Sequence, residues 1–213
     1  MTAVNSSRLS SSAALVACAA SLVVTLAACS SDTDKPSTTT SSSVAEVVAS
    51  SVTETANAAA SSCPTAAPDA GGSADWTLPG ATGSVAVTGS TDTAAPRVDV
   101  KGPFSVTETQ VQTLRAGDGP VVADTATVSV CYMGVNGRDG SVFDSSYQRG
   151  APEQFPLTGV VPGFQKAIAG QKVGSTVAVA MTSADGYADG QPSAGIQPGD
   201  TLVFAIKILD ASS

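Results

Sequence analysis

Up to about Gly72 this 213-residue chain is mostly Ala, Ser and Thr, and only from Trp76 onward do apolar residues alternate with polar ones between glycines and prolines. That break confines any hydrophobic core to the second part, because a stretch with few large apolar side chains cannot offset the entropy of ordering its backbone. The two parts therefore call for separate readings rather than one continuous core.

Composition also removes several kinds of chemistry. The net charge is −8 and no run of Lys or Arg exists that could neutralise a phosphate backbone, so no nucleic-acid partner is expected. The chain has no histidine, which excludes Ser-His-Asp and Cys-His catalysis and the usual imidazole metal sites. Asp185 and Asp189 flank Tyr187 at a spacing that could be read as a cation site. No tight carboxylate cluster accompanies them, and a solvated loop is the better reading. Neither a metal nor a cofactor is expected.

The start of the chain reads as an export signal. Residues 1–8 carry one positive charge, and Ala13 to Ala28 form an apolar stretch too short and too rich in small residues for a transmembrane helix. Leu26-Ala27-Ala28-Cys29 resembles the lipobox of bacterial lipoproteins. That resemblance implies cleavage after residue 28, a diacylglycerol on the Cys29 thiol and a protein held on the outer face of the cell membrane. Residues 29–75, with tracts such as Pro36 to Ser43, are expected to be a flexible Ser/Thr/Ala-rich tether, within which residues 44–60 could form a short helix.

Four cysteines are present, and once Cys18 in the signal and Cys29 in the lipobox are set aside, Cys63 and Cys131 remain. Two thiols in an oxidising compartment invite a disulfide. The alternative is a free Cys63 and a Cys131 that packs as a small hydrophobe.

The second part is strand-rich. Phe104–Leu114, Ala126–Met133, Thr176–Met181 and Thr201–Leu209 alternate in period two, which points to a half-buried antiparallel sheet. Gly117–Pro120, Asn136–Gly140 and Pro198–Asp200 carry turn chemistry. One helix is expected, Pro162–Ala169, which opens on a proline, is stopped by Gly170 and places Phe164, Ala167 and Ile168 on one face. A sheet with one short helix is an α+β domain. Residues 76–103, with one candidate strand at Gly83–Gly89, are attached to it, so the domain is read as 76–213 with a core at about 104–210.

Seven elements in order then match a known family: Val128–Gly134, Asp139–Ser146, Phe155–Leu157, Val160–Gly170, Gly186-Tyr187, Ile196–Pro198 and Leu202–Phe204. Together they resemble the FKBP domain. The resemblance implies a bent antiparallel sheet wrapped around one short helix, with a peptidyl-prolyl cis–trans isomerase site in the apolar hollow between them. Carried over motif by motif, Tyr132 and Phe204 line the hollow from the sheet, Phe143 and Asp144 form one wall, and Phe155 stands on the next strand. Phe164 is the floor, Tyr187 and Ile196 come from the long loop before the last strand, and Val160 and Val161 precede the helix. The family implies that the Val161 N–H binds a ligand carbonyl. It also implies proline-containing segments of exported polypeptides as partners, and a monomer is expected.

This chain departs from the family at the floor, where Phe164 replaces a common Trp, and at Glu153, where an aromatic is frequent. Ala188 follows the loop tyrosine in place of Gly, and the stretch from Leu157 to Val160 is shorter. These departures motivate a second reading, a module or chaperone that binds proline segments with little turnover. A lipoprotein that captures small solutes is a third reading, disfavoured because the chain is too short for the two lobes usual in such receptors.

Overall fold

The structure, a computed structural model, describes residues 62–68 and 71–212. The expected signal peptide, Cys29 and the first part of the expected tether lie outside the described residues.

The central feature is a six-stranded antiparallel sheet made of β4 (Gln110–Arg115), β8 (Thr176–Met181), β9 (Leu202–Ser212), β5 (Thr127–Asn136), β6 (Val142–Ser145) and β7 (Glu153–Pro156). Strand β5 pairs along its whole length with β9, from Thr127 opposite Ser212 to Asn136 opposite Leu202. Its other edge is shared, with β7 taking Thr127–Val130 and β6 taking Met133–Val135. Between β6 and β7 the chain turns through one helical turn, α1 (Ser146–Arg149). Ser145 caps it by accepting from the Gln148 N–H, and Gly150 ends it in the left-handed region at φ 72°. The expected short helix is α2 (Pro162–Ile168), which starts on its proline as the sequence implies. It buries Gly163, Phe164, Ala167 and Ile168 against the sheet. A Cβ on Gly163 would lie 2.8 Å from the Met181 Cβ, so only glycine lets this helix approach β8 so closely.

The expectation of a half-buried sheet needs correction. All six residues of β8 are buried, because the second face is covered by a separate antiparallel sheet of β1 (Trp76–Pro79), β2 (Thr82–Thr88) and β3 (Arg97–Ser105). Alternation survives as a choice between two interiors rather than between interior and water. Val177, Val179, Met181, Phe204 and Ile206 face α2. Ala178, Ala180, Val203 and Ala205 face Val85, Val87 and Phe104 of the covering sheet. Small alanines on that side let the second sheet pack closely. The expected strand Phe104–Leu114 is likewise two strands, since Phe104 closes β3 in one sheet while Gln110–Arg115 forms β4 in the other.

Part of the stretch read as tether belongs to the fold. Residues 62–68 lie along the domain: the Cys63 N–H donates to the Gly150 carbonyl at 3.1 Å, and the Ala95 N–H donates to the Ala66 carbonyl at 2.8 Å. Cys63 is joined to Cys131 by a disulfide across 68 residues of sequence. Both sulfurs sit in a small cluster with Ala95 and Tyr147, whose hydroxyl pairs with the Ser90 hydroxyl at 2.8 Å. A crosslink closing a loop of 68 residues removes enough chain entropy from the unfolded state to stabilise the fold by about 4 kcal/mol in the loop-closure model. The Cys63→Ser variant is therefore expected to unfold in urea at a markedly lower midpoint than the oxidised protein. Wild type in reductant should match the variant, whereas equal midpoints for all three would show that the crosslink adds nothing.

Candidate active site

A cavity of about 350 Å³ opens between α2 and the concave face of the six-stranded sheet. Its floor is Phe164, which makes edge-on contacts with three rings, at centroid distances of 5.8 Å to Tyr132, 5.5 Å to Phe155 and 5.1 Å to Phe204. Phe143 stands edge-on to Phe204 at 5.5 Å. Aromatic pairs prefer this T-shaped arrangement, so the rings hold one another in place without filling the space above Phe164. Gly134 sits under the Phe143 and Phe204 rings, where a Cβ would come within 2.6 Å of one and 2.8 Å of the other. A side chain there would push the wall into the cavity.

The remaining walls come from loops. Gly159, Val160 and Val161 line the mouth ahead of α2, and Tyr187 leans in from the β8–β9 loop. Val161 is the residue at which the chain enters α2, with an extended backbone at φ −61°, ψ 146°. Of the ten positions singled out in the sequence, nine line the cavity: Tyr132, Phe143, Asp144, Phe155, Val160, Val161, Phe164, Tyr187 and Phe204. Ile196 does not. It is 2% exposed and packs in the core, where it supports the loop that carries Tyr187.

One corner of the cavity is polar. The Tyr132 hydroxyl donates to Asp144, and the Asp144 carboxylate also accepts from Arg149 Nη1 at 2.6 Å. Arg149 Nη2 donates to the Tyr132 oxygen at 3.2 Å, and the guanidinium pairs with Glu153 at 3.1 Å. Its Cζ lies 5.9 Å from the Tyr132 ring centroid. Burial, followed by the hydrogen bond to Asp144, pushes the Tyr132 phenol up to about 12. Asp144 in turn holds the Arg149 guanidinium more firmly protonated. Sequence reasoning missed Arg149, because its pairing with Glu153 crosses from the end of α1 over the left-handed Gly150 to the start of β7 and is not a spacing within one helix. Glu153 itself faces Arg149 rather than the cavity.

Asp185 and Asp189 do not share a site. Asp185 accepts from Lys166 Nζ at 2.8 Å and from the Thr109 hydroxyl, while Asp189 is exposed. The cavity thus combines an aromatic floor and walls with one carboxylate-bearing corner. This suits a compact apolar ring with a polar amide beside it rather than a nucleophilic reaction.

Residues 119–209 match the family model described as FKBP-type peptidyl-prolyl cis-trans isomerase. The chain is 35% identical to an FK506-binding protein of Streptomyces anulatus over 117 residues, covering 54% of this chain and 94% of that protein. It is 37% identical to a probable FK506-binding protein of Corynebacterium glutamicum over 98 residues, which are 45% of this chain and 80% of the relative. With the FKBP-type 22 kDa peptidyl-prolyl cis-trans isomerase of Escherichia coli it shares 38% identity over 101 residues, 47% of this chain and 48% of the relative. The chain thus spans about half the length of that last relative.

The polar corner makes a measurable prediction. A phenol that keeps its proton to about 12 in the native state, against an ordinary value of 10, favours the folded form below pH 10. That advantage is lost as pH rises from 10 to 12. Ultraviolet titration of phenolate should show Tyr132 and Tyr147 ionising late, both being raised to about 12. Tyr132→Phe should remove one late-titrating equivalent, and removal of an early one instead would contradict the geometry.

Proposed function

The chain belongs to the FKBP-type peptidyl-prolyl cis–trans isomerases, and from that membership we propose that it catalyses rotation about X-Pro peptide bonds in the cavity above Phe164. The observation that carries the reading is the aromatic-lined cavity with a single polar corner at Tyr132, Asp144 and Arg149.

Rotation about a peptide bond requires loss of amide resonance, a barrier of about 18–20 kcal/mol, and no bond to the protein. The twisted amide is less dipolar than the planar one. A cavity walled by Phe143, Phe155, Phe164 and Phe204 therefore penalises the planar ground state more than the transition state. Rate enhancement then comes from differential binding. The rings hold the prolyl ring, Tyr187 and the backbone at Val161 fix the flanking carbonyls, and Asp144 supplies the polar contact at the edge. Histidine is not needed for any of these roles.

The wider reading is that the substrates are exported polypeptides, and that the domain is a folding factor held at the outer face of the membrane through a lipidated Cys29. It is supported by the signal pattern of residues 1–28 and the lipobox-like Leu26–Cys29. A second reading, a proline-segment binding module with little turnover, draws support from Glu153, which takes a frequent aromatic position and turns to Arg149. The two are separated by isomerisation of a short Leu-Pro peptide, followed by protease coupling or NMR exchange. Wild type should accelerate it, and Tyr187→Ala with Phe204→Ala should reduce kcat/KM at least about tenfold while remaining folded. A well-folded wild type that binds the peptide without accelerating it would favour the binding module.

A further inference from the structure

Tyr187 and Ile196 both belong to the connection between β8 and β9, a loop with little regular structure beyond two short 3-10 turns. Its far end is anchored by a buried carboxylate that plays no part in the cavity. The Asp200 side chain is only 7% exposed. Its Oδ2 accepts from Asn136 Nδ2 at 2.7 Å and from the Gln197 N–H at 2.8 Å, and its Oδ1 accepts from Arg138 Nε at 3.2 Å. The same Arg138 guanidinium donates through Nη2 to the Gly195 carbonyl at 3.0 Å, the residue immediately before Ile196. Asn136, 1% exposed, returns the connection by accepting from the Arg138 N–H at 2.9 Å.

Two turns far apart in the sequence, Asn136–Gly140 and Pro198–Asp200, are thus joined through one carboxylate. Burial alone would raise the Asp200 carboxyl, but the bonds from Asn136, Gln197 and Arg138 outweigh it and hold the group below the ordinary carboxylate range. A buried charge with its partners in place is costly to disturb, because removing one partner leaves the others unpaired.

We propose that Asp200 and Arg138 are positioning residues for the isomerase site, holding the Gly195–Gln197 end of the loop so that Ile196 stays packed and Tyr187 remains over the cavity. The proposal rests on the isomerase reading for its kinetic consequence but not for its structural one. Neither residue touches the cavity, so loosening the pin affects how often the loop is in place to close on a peptide. The loss then falls on binding, since Kd rises with the fraction of time the competent loop is absent.

The test uses the full chain with Asp200→Asn, which keeps the side chain's size, and with Arg138→Met as a second variant at the partly exposed partner, the Tm of each reporting whether it remains folded. Three quantities are measured on each: Tm, kcat and KM for a short Leu-Pro peptide, and amide hydrogen exchange. Both variants are expected to raise KM about fivefold or more with kcat within twofold of wild type. Exchange should accelerate at Tyr187–Gln197 and remain unchanged at Tyr132 and Phe204. A lowered Tm with unchanged KM and unchanged loop exchange would overturn the proposal, as would acceleration spread evenly over the domain. If wild type shows no turnover, the isomerase reading fails on its own, and the loop exchange still decides whether Asp200 and Arg138 hold the loop.

Discussion

The antiparallel pairing of β5 with β9 is the contact from which the rest of the domain takes its geometry. Its register sets Gly134 opposite Phe204 and Asn136 opposite Leu202. The first of these opens room for the Phe143 and Phe204 rings beside the cavity. The second brings the end of β5 next to the residues that precede β9, where Asn136 meets Asp200. A slip of one residue would reverse the faces of one strand relative to the other, so that Tyr132 and Phe204 could no longer both face the cavity. Two interiors enforce the register, since β9 offers Phe204 and Ile206 to one and Val203 and Ala205 to the other.

The covering sheet β1–β3 changes what stands behind the cavity. With both faces of β8 and β9 buried, the wall behind the aromatic cluster is backed by packed side chains rather than by water. Interiors of this density resist local displacement, so the cavity is held open by its surroundings as well as by the contacts among its own rings. Residues 62–68 add to this from the side, tied to β5 through Cys131, one residue before Tyr132. The site is consequently braced along β5 from two directions, by the disulfide at one point and by the Asn136–Asp200 contact at another.

Much of this was legible in the sequence where the pattern was local. The helix Pro162–Ile168 announced itself through its proline, its apolar face and Gly170. Strands β5, β8 and β9 lay close to the expected segments because period-two alternation persists even when both faces are buried. What escaped was non-local. Strands β1 and β3 have pairing partners but weak patterns of their own, and Phe104–Leu114 looked continuous because nothing in its alternation marks a change of sheet. The contacts that bring Arg149 to Tyr132 and Asp200 to Asn136 span 17 and 64 residues, which no window of neighbouring residues contains.

Read alone, the sequence established that only the part after about residue 72 could sustain an extended core, that chemistry had to proceed without histidine, and that ten aromatic, aliphatic and acidic positions were candidates to line one hollow. The first two follow from composition and the third from the family resemblance that the order of the motifs carries, all of them properties of the chain as written. Tertiary structure alone decided that Ile196 supports the loop instead of lining the cavity, that the sheet has no solvent-facing side at its centre, and that two turns share one buried carboxylate. The reason is physical: burial and charge pairing are properties of what surrounds a side chain, and those surroundings are assembled from distant segments only when the strands register.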